Sequence, residues 1–203
     1  MIRMSDFISE LSSSALSRWM GLAPWELVAQ APEIVTELLA SLPSDEYEVV
    51  GNVAVHRTAV IESGAVLKGP LIVGAGCFVA SGAYLRGGCW IAANCIFGPG
   101  AELKTSIVFS GTKLAHFNFV GDSILGAGVN LEAGSIVCNY RNERAEKEVR
   151  VRIGGQLHAT GCDKFGALIG DHARIGANAV LAPGALIEPA FVVRRGQVFD
   201  DEV

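Results

Sequence analysis

The stretch from Val55 to Phe109, VHRTAVIESGAVLKGPLIVGAGCFVASGAYLRGGCWIAANCIFGPGAELKTSIVF, decides the fold. Every sixth residue in it is large and apolar: Val55, Ile61, Leu67, Val73, Val79, Leu85, Ile91, Phe97, Leu103 and Phe109. Four places after each of the first nine stand Ala59, Ala65, Leu71, Cys77, Ala83, Cys89, Cys95, Ala101 and Ile107, mostly small and never charged. Neither the 3.6-residue period of a helix nor the two-residue period of a strand produces a repeat of six. Hexads build a parallel β-helix, each one forming a flat face of a coil. Three faces close a triangular turn, so residues eighteen apart stack. The large residue fills the inside, the small one fits near a corner, and Glu62-Ser63-Gly64 or Gly98-Pro99-Gly100 supplies the bend. The expected fold is an all-β solenoid.

Beyond Phe109 the pattern resumes at Phe119, Leu125, Leu131 and Val137, four residues out of phase. That slip predicts that residues 110–118, with His116 among them, leave the regular path. A second break follows Asn139. From there to Phe165 the chain is charged, Val149-Arg150-Val151-Arg152-Ile153 alternates and Gly154-Gly155 turns, so residues 139–165 read as a projecting hairpin loop. The hexads return at Ile169, Ile175, Leu181, Ile187 and Val193. Residues 5–42 read as helical, with a first helix capped by Ser5 or Asp6 and running to about Trp19. Pro24 and Pro32 then open further helices, which cover an end or a flank of the coil. The expected organisation is a helical segment and linker at 1–48, the coil at 49–195 and an acidic tail at 196–203. A regular coil is scaffold and binding groups sit on its excursions, so the two interruptions are where chemistry is expected.

Composition narrows the classes. The 203 residues suit one solenoid domain with an appendage; 7% aromatics and 24 glycines suit a narrow prism. A net charge of −5 argues against a nucleic-acid partner, so an anionic ligand needs a local basic cluster. No apolar run of about twenty residues is present to span a membrane. The N-terminus carries Asp6 and Glu10 and does not read as a signal peptide, which gives a cytoplasmic expectation. Cys77 and Cys95 stack one coil apart and read as free, small buried hydrophobes. The four histidines, His56, His116, His158 and His172, show no close pairing, so neither a metal nor a zinc-hydratase chemistry is expected.

The run from Glu102 to Asn139, ELKTSIVFSGTKLAHFNFVGDSILGAGVNLEAGSIVCN, resembles the acetyltransferase half of bifunctional sugar-1-phosphate nucleotidylyltransferase/acetyltransferases, of the N-acetylglucosamine-1-phosphate uridyltransferase/glucosamine-1-phosphate acetyltransferase type. KEVRVRIGGQLHATGCDKFGALIGDHARIGANAVLAPG is similar to the archaeal-type branch, as is Pro24-Trp25-Glu26-Leu27 to its linker helix. The likeness spans roughly residues 23–193, and no Gly-rich nucleotidyl-transfer loop is present. The resemblance implies a left-handed parallel β-helix that forms a homotrimer with sites between subunits. His116 falls on the family's general base, the residue type whose ordinary titration spans neutrality. Arg86 and Lys104 match phosphate- and sugar-holding positions, eighteen residues apart and so on one edge. Asn130, Asn139 and Tyr140 match substrate contacts, and Lys147 and Arg150 match basic hairpin residues once a two-residue insertion is allowed. Arg194 and Arg195 lie near where the family has small residues beside the coenzyme A arm, and either grip its phosphates or block it. Phe119 stands where the family has a tyrosine and lacks its hydroxyl.

The expected activity is transfer of an acyl group, acetyl by resemblance, from acyl-CoA as co-substrate to the amine of an amino-sugar phosphate or nucleotide sugar. The alternative is a non-catalytic sugar-nucleotide-binding or regulatory subunit.

Overall fold

The computed structural model describes residues 2–202. Its body is a triangular parallel β-solenoid with three faces, two of seven strands and one of seven plus an added edge strand. Strand register fixes which residues stack inside. The first face points Val55, Val73, Ile91, Val108, Leu125, Ile169 and Ile187 inward. The second stacks Ile61, Val79, Phe97, Leu114, Leu131, Ile175 and Val193. The third stacks Leu67, Leu85, Leu103, Val120, Val137, Leu181 and Phe199. From Leu71 onward this column is almost entirely removed from solvent, with Cys77, Cys89 and Cys95 as free thiols within it. Burial of such side chains supplies about 1.5–3 kcal/mol each.

The winding differs from the expected phase in one respect. The repeat is not interrupted at 110–118. It loses one residue at each of two successive corners between the third and first faces, where the inward step is five: Leu103 to Val108 and Val120 to Leu125. The tight turns put Thr105 and Asp122 at φ +45° and +46°. A serine closes each one: Ser106 Oγ donates to Lys104 O at 2.8 Å and Ser123 Oγ to Gly121 O at 2.7 Å. Ser106 Oγ also accepts the Ser123 N–H, tying the two corners together. Phe109 and Phe119 are therefore not inward residues. Phe109 lies outside the first face and Phe119 half-buried on the third.

Phe109 is nevertheless fully buried, because the N-terminal segment covers the first face. That segment is three short 3-10 turns, Met4–Asp6, Leu11–Ser13 and Ser17–Trp19, where one helix was expected. Two α-helices follow, Pro24–Ala29 and Ala31–Leu39, each with its proline in the first turn. Met4, Ile8, Leu11, Leu27 and Ile34 pack on Ile107, Phe109, Ile124 and Leu168. Asp171 pins the segment, accepting from Ser9 N and Oγ at 2.9 and 2.7 Å. The helices thus take a flank of the prism, leaving the second and third faces to solvent.

Between Val137 and Ala167 the chain leaves the coil, and Arg150–Ile153 pairs antiparallel with Gln156–Ala159 around Gly154-Gly155 as expected. The acidic tail is shorter than expected, because Val198–Phe199 adds a last rung. Asp200, Asp201 and Glu202 then fold back onto the excursion.

Candidate functional site

His116 stands on the corner between the second and third faces. Four backbone hydrogen bonds define the column it belongs to: Phe117 N to Pro99 O (3.0 Å), Gly134 N to His116 O (2.9 Å), Asn178 N to Ala133 O (3.0 Å) and Gly196 N to Ala177 O (2.8 Å). Pro99, His116, Ala133, Ala177 and Arg195 therefore lie one above another. Two alanines separate the backbones of His116 and Arg195, a rail of roughly 14 Å at the usual strand spacing. His116 is exposed and its ring makes no side-chain hydrogen bond among the described residues. It sits on a regular corner rather than at a fault. Its backbone seat is tight: a side chain on Gly98 would overlap the Ala115 carbonyl at 1.6 Å and come 3.3 Å from His116 Nδ1. Phe117, next to it, takes φ +51° while 71% exposed. A bulky residue held in the left-handed region is strained, and such strain gathers at functional sites. Asn118 anchors the turn from below, its Nδ2 donating to Glu132 O at 2.8 Å and Ser135 Oγ at 2.9 Å.

The third face carries Arg86 and Lys104 on adjacent rungs of one edge, as their spacing requires. Neither is a free cation. Arg86 donates through Nε and Nη2 to Glu102 Oε1 at 2.9 and 2.7 Å. Lys104 Nζ donates to both oxygens of Asp122 at 2.7 and 2.8 Å. Asn139 reaches the same carboxylate, its Nδ2 donating to Asp122 Oδ2. Phe119 lies on this face between Glu102 and Ile136. The two carboxylates were missed from sequence. Asp122 stands eighteen residues after Lys104 and was legible at that period, whereas Glu102 stacks on Tyr84 and meets Arg86 diagonally, sixteen residues away.

Asn130 lies on the second face, between Lys113 and Arg174. It lines a groove of about 490 Å³ with Glu132, Arg174, Val192, Arg194 and Arg195. Arg195 spans the groove to Glu132, its Nε and Nη2 each 2.7 Å from a carboxylate oxygen. That guanidinium, helped by the Ala177 N–H, holds the Glu132 carboxyl down at about 2. Arg174 and Arg194 have no carboxylate partner among the described residues.

The hairpin residues serve the loop itself. Lys147 Nζ donates to Arg141 O and Asn142 O, both at 3.1 Å, and to Arg144 O, with the Tyr140 ring 5.1 Å away. Arg150 pairs with Glu146 at 3.2 Å. In this conformation both are held by their own loop. Arg141 and Arg144, also basic, are taken by the tail through Asp200 and Glu202. Within one chain the resemblance-based residues therefore fall on the second face, on the edge of the third face next to the first, and on the hairpin, with His116 on the corner between the second and third faces.

A prism of stacked hexads with an exposed histidine on its corner defines a hexapeptide-repeat β-solenoid. The family described as "Bacterial transferase hexapeptide (six repeats)" matches residues 70–105. The chain is 32% identical over 188 residues to the bifunctional sugar-1-phosphate nucleotidylyltransferase/acetyltransferase of Sulfurisphaera tokodaii, covering 87% of this chain and 46% of that protein. It is 35% identical over 186 residues to the bifunctional protein GlmU of Methanococcus maripaludis, covering 89% and 44%. The chain thus spans about half the length of these curated relatives, corresponding to their acetyltransferase half. A hexapeptide transferase family protein from Anaplasma phagocytophilum, 17% identical, aligns over 72% of both chains with a TM-score of 0.45. Among the described residues no helix is long and apolar enough to cross a membrane.

Proposed function

We propose that this protein transfers an acyl group, acetyl in the simplest case, from acyl-CoA to the amine of an amino-sugar phosphate or nucleotide sugar. The observation that carries this reading is the corner rail, an exposed imidazole followed by two alanines and a guanidinium. Ala133 and Ala177 leave a smooth track for an extended thioester arm. Arg194 stands at its far end to meet phosphates, Arg195 springs from the same end and is held on Glu132 until a ligand competes for it, and His116 at the near end meets the thioester. The imidazole takes a proton from the amine as nitrogen bonds to the thioester carbonyl carbon. The carbon–sulfur bond then breaks, and the proton passes to the departing thiolate. A backbone N–H polarises the carbonyl. The acetyltransferase relatives support the same chemistry.

The acceptor side is the third face, with Arg86, Lys104, Asn139 and Tyr140. The acyl-donor side, with Asn130 and the arginines, is the second face. A neighbouring copy that sets its third face against this second face makes one site of the two, which favours the homotrimer. The first face is already occupied by the chain's own N-terminal segment.

The test is thiol release from acetyl-CoA with glucosamine 1-phosphate, with His116→Ala beside wild type. Release that is independent of His116 removes the assigned base. Because Arg86 and Lys104 are each matched by a carboxylate, and Phe119 lacks a hydroxyl, a second reading is a sugar-nucleotide-binding subunit without turnover. It expects saturable binding of UDP-N-acetylglucosamine and no thiol release.

A further inference from the structure

Asp122 stands at the centre of the third-face edge. Its side chain is 8% exposed. Its backbone is fixed from both sides, the N–H donating to Lys104 O at 2.9 Å and the carbonyl accepting Gly166 N–H at 2.8 Å. The shortened corner at φ +46° turns its carboxylate toward Lys104 and Asn139 together. Gly121 keeps that meeting open, since a side chain there would come 2.8 Å from Asn139 Nδ2 and 2.8 Å from Phe119 Cζ.

An ionised carboxylate only accepts hydrogen bonds, whereas a carboxamide carries two N–H donors on its nitrogen side and an acceptor on its oxygen side. With one Nδ2 N–H bonded to Asp122, the nitrogen side of the amide faces the carboxylate and the opposite side is Oδ1, which makes no hydrogen bond among the described residues. Lys104 has three N–H groups, and the Asp122 oxygens take two. The edge therefore offers the neutral Oδ1 acceptor and the charged Lys104 donor side by side next to the Phe119 ring, with the amide N–H groups on the side of Asp122. Without Asp122 the amide is free to turn over and offer a donor, and the ammonium is free to leave.

Resting on the acyl-transfer reading, we propose that Asp122 is a positioning residue that sets the hydrogen-bonding polarity of the acceptor subsite. It turns the Asn139 carbonyl oxygen toward the ligand to receive a hydroxyl or amine of an amino sugar, and it keeps Lys104 beside that point for an oxygen of the same ligand. Specificity then follows from unpaired groups. An analogue lacking the donor leaves Oδ1 without a partner, and a buried polar group so left costs affinity.

The experiment is calorimetric titration with glucosamine 1-phosphate and, separately, with coenzyme A, alongside a melting curve for each protein. Asp122→Asn, nearly the same shape, is expected to weaken sugar-phosphate binding about tenfold or more and to leave coenzyme A within about twofold, the scale of one lost hydrogen bond to a charged group. Asn139→Leu, which keeps the Asp122–Lys104 pair, is expected to show the same selective loss and stands in if Asp122→Asn fails to fold. Asn139→Asp alone brings two carboxylates together and stays weak. Combining it with Asp122→Asn reverses the pair: the amide at 122 donates, and the carboxylate at 139 again presents an oxygen. That double variant is expected to return to within about fivefold of wild type. Unchanged sugar-phosphate affinity in either folded single variant, or a double variant no better than Asn139→Asp, overturns the proposal. Wild-type binding without thiol release defeats the transfer reading and leaves this one standing.

Discussion

Arg141 donates to both carboxylate oxygens of Asp200, at 2.7 and 2.8 Å, across 59 positions of sequence. The guanidinium is 4% exposed, and its Nη2 also donates to Pro183 O at 2.9 Å. Arg144 does the same for the end of the tail, meeting Glu202 at 2.6 and 3.1 Å. The acidic tail thus closes on the base of the loop that carries Asn139 and Tyr140. Removing one partner of a pair this deep leaves a charge uncompensated. Asp200→Ala is expected to cost about 3 kcal/mol, the low end for such pairs because Glu202 remains 3.2 Å from Arg141. Thermal unfolding measures the cost, and hydrogen exchange in residues 140–160 locates it.

The same pair predicts an acid response. The hydrogen bonds from Arg141 hold the Asp200 carboxyl below its ordinary value. A carboxyl depressed in the folded state stabilises it above the unfolded value, about 3.9, and that contribution fades as pH falls through the lower folded value. Wild type is therefore expected to lose loop protection below about pH 4, whereas Asp200→Ala, already without the pair, is expected to show a flatter acid limb. Superimposable acid limbs would rule out a role for the tail in holding the loop.

Much of the prism could be read directly from residues, and the place where the reading slipped has a physical cause. Hexads point one large residue inward and leave the other side to solvent, so phase is plain from Val55 to Leu103. On a covered face both sides are apolar, and the alternation that marks inside from outside disappears. Val108 and Phe109 are both fully buried, one in the coil and one beneath the N-terminal turns, and only the strand register separates them. Asp122 stands eighteen after Lys104, but the five-residue corner hid that its carboxylate also turns to meet Asn139 on the next rung. Arg86 and Lys104 were legible because a period of eighteen survives any choice of phase. The role of Lys147 inside its loop was not, because its partners are backbone carbonyls, which no residue pattern advertises.

That cause can be tested at the two neighbouring positions. Phe109→Ala empties the seam between the N-terminal segment and the first face and is expected to cost about 3–5 kcal/mol. It should leave the β signal of the coil intact while the segment before residue 40 becomes open to protease. Val108→Asp places a charge inside the prism and is expected to prevent folding of the coil itself. If Phe109→Ala instead collapsed the coil and Val108→Asp folded, Phe109 rather than Val108 would be the inward residue.

The Arg195–Glu132 pair bears on the donor end of the rail. Because Arg195 holds the Glu132 carboxyl at about 2, this contact stays ionised throughout the neutral and mildly acidic range. Its contribution is lost only as pH falls through that value. On the acyl-transfer reading, Arg195→Ala is expected to raise the KM for acetyl-CoA about tenfold, the scale of one charge-assisted phosphate contact, with the KM for the amino sugar unchanged. Glu132→Gln frees the guanidinium from its internal partner and is expected to shift the acetyl-CoA KM the opposite way. Steady-state kinetics at pH 5 and pH 8 should show the same Arg195 effect at both. An Arg195→Ala enzyme with altered sugar KM and unaltered acetyl-CoA KM would place the donor elsewhere on the prism.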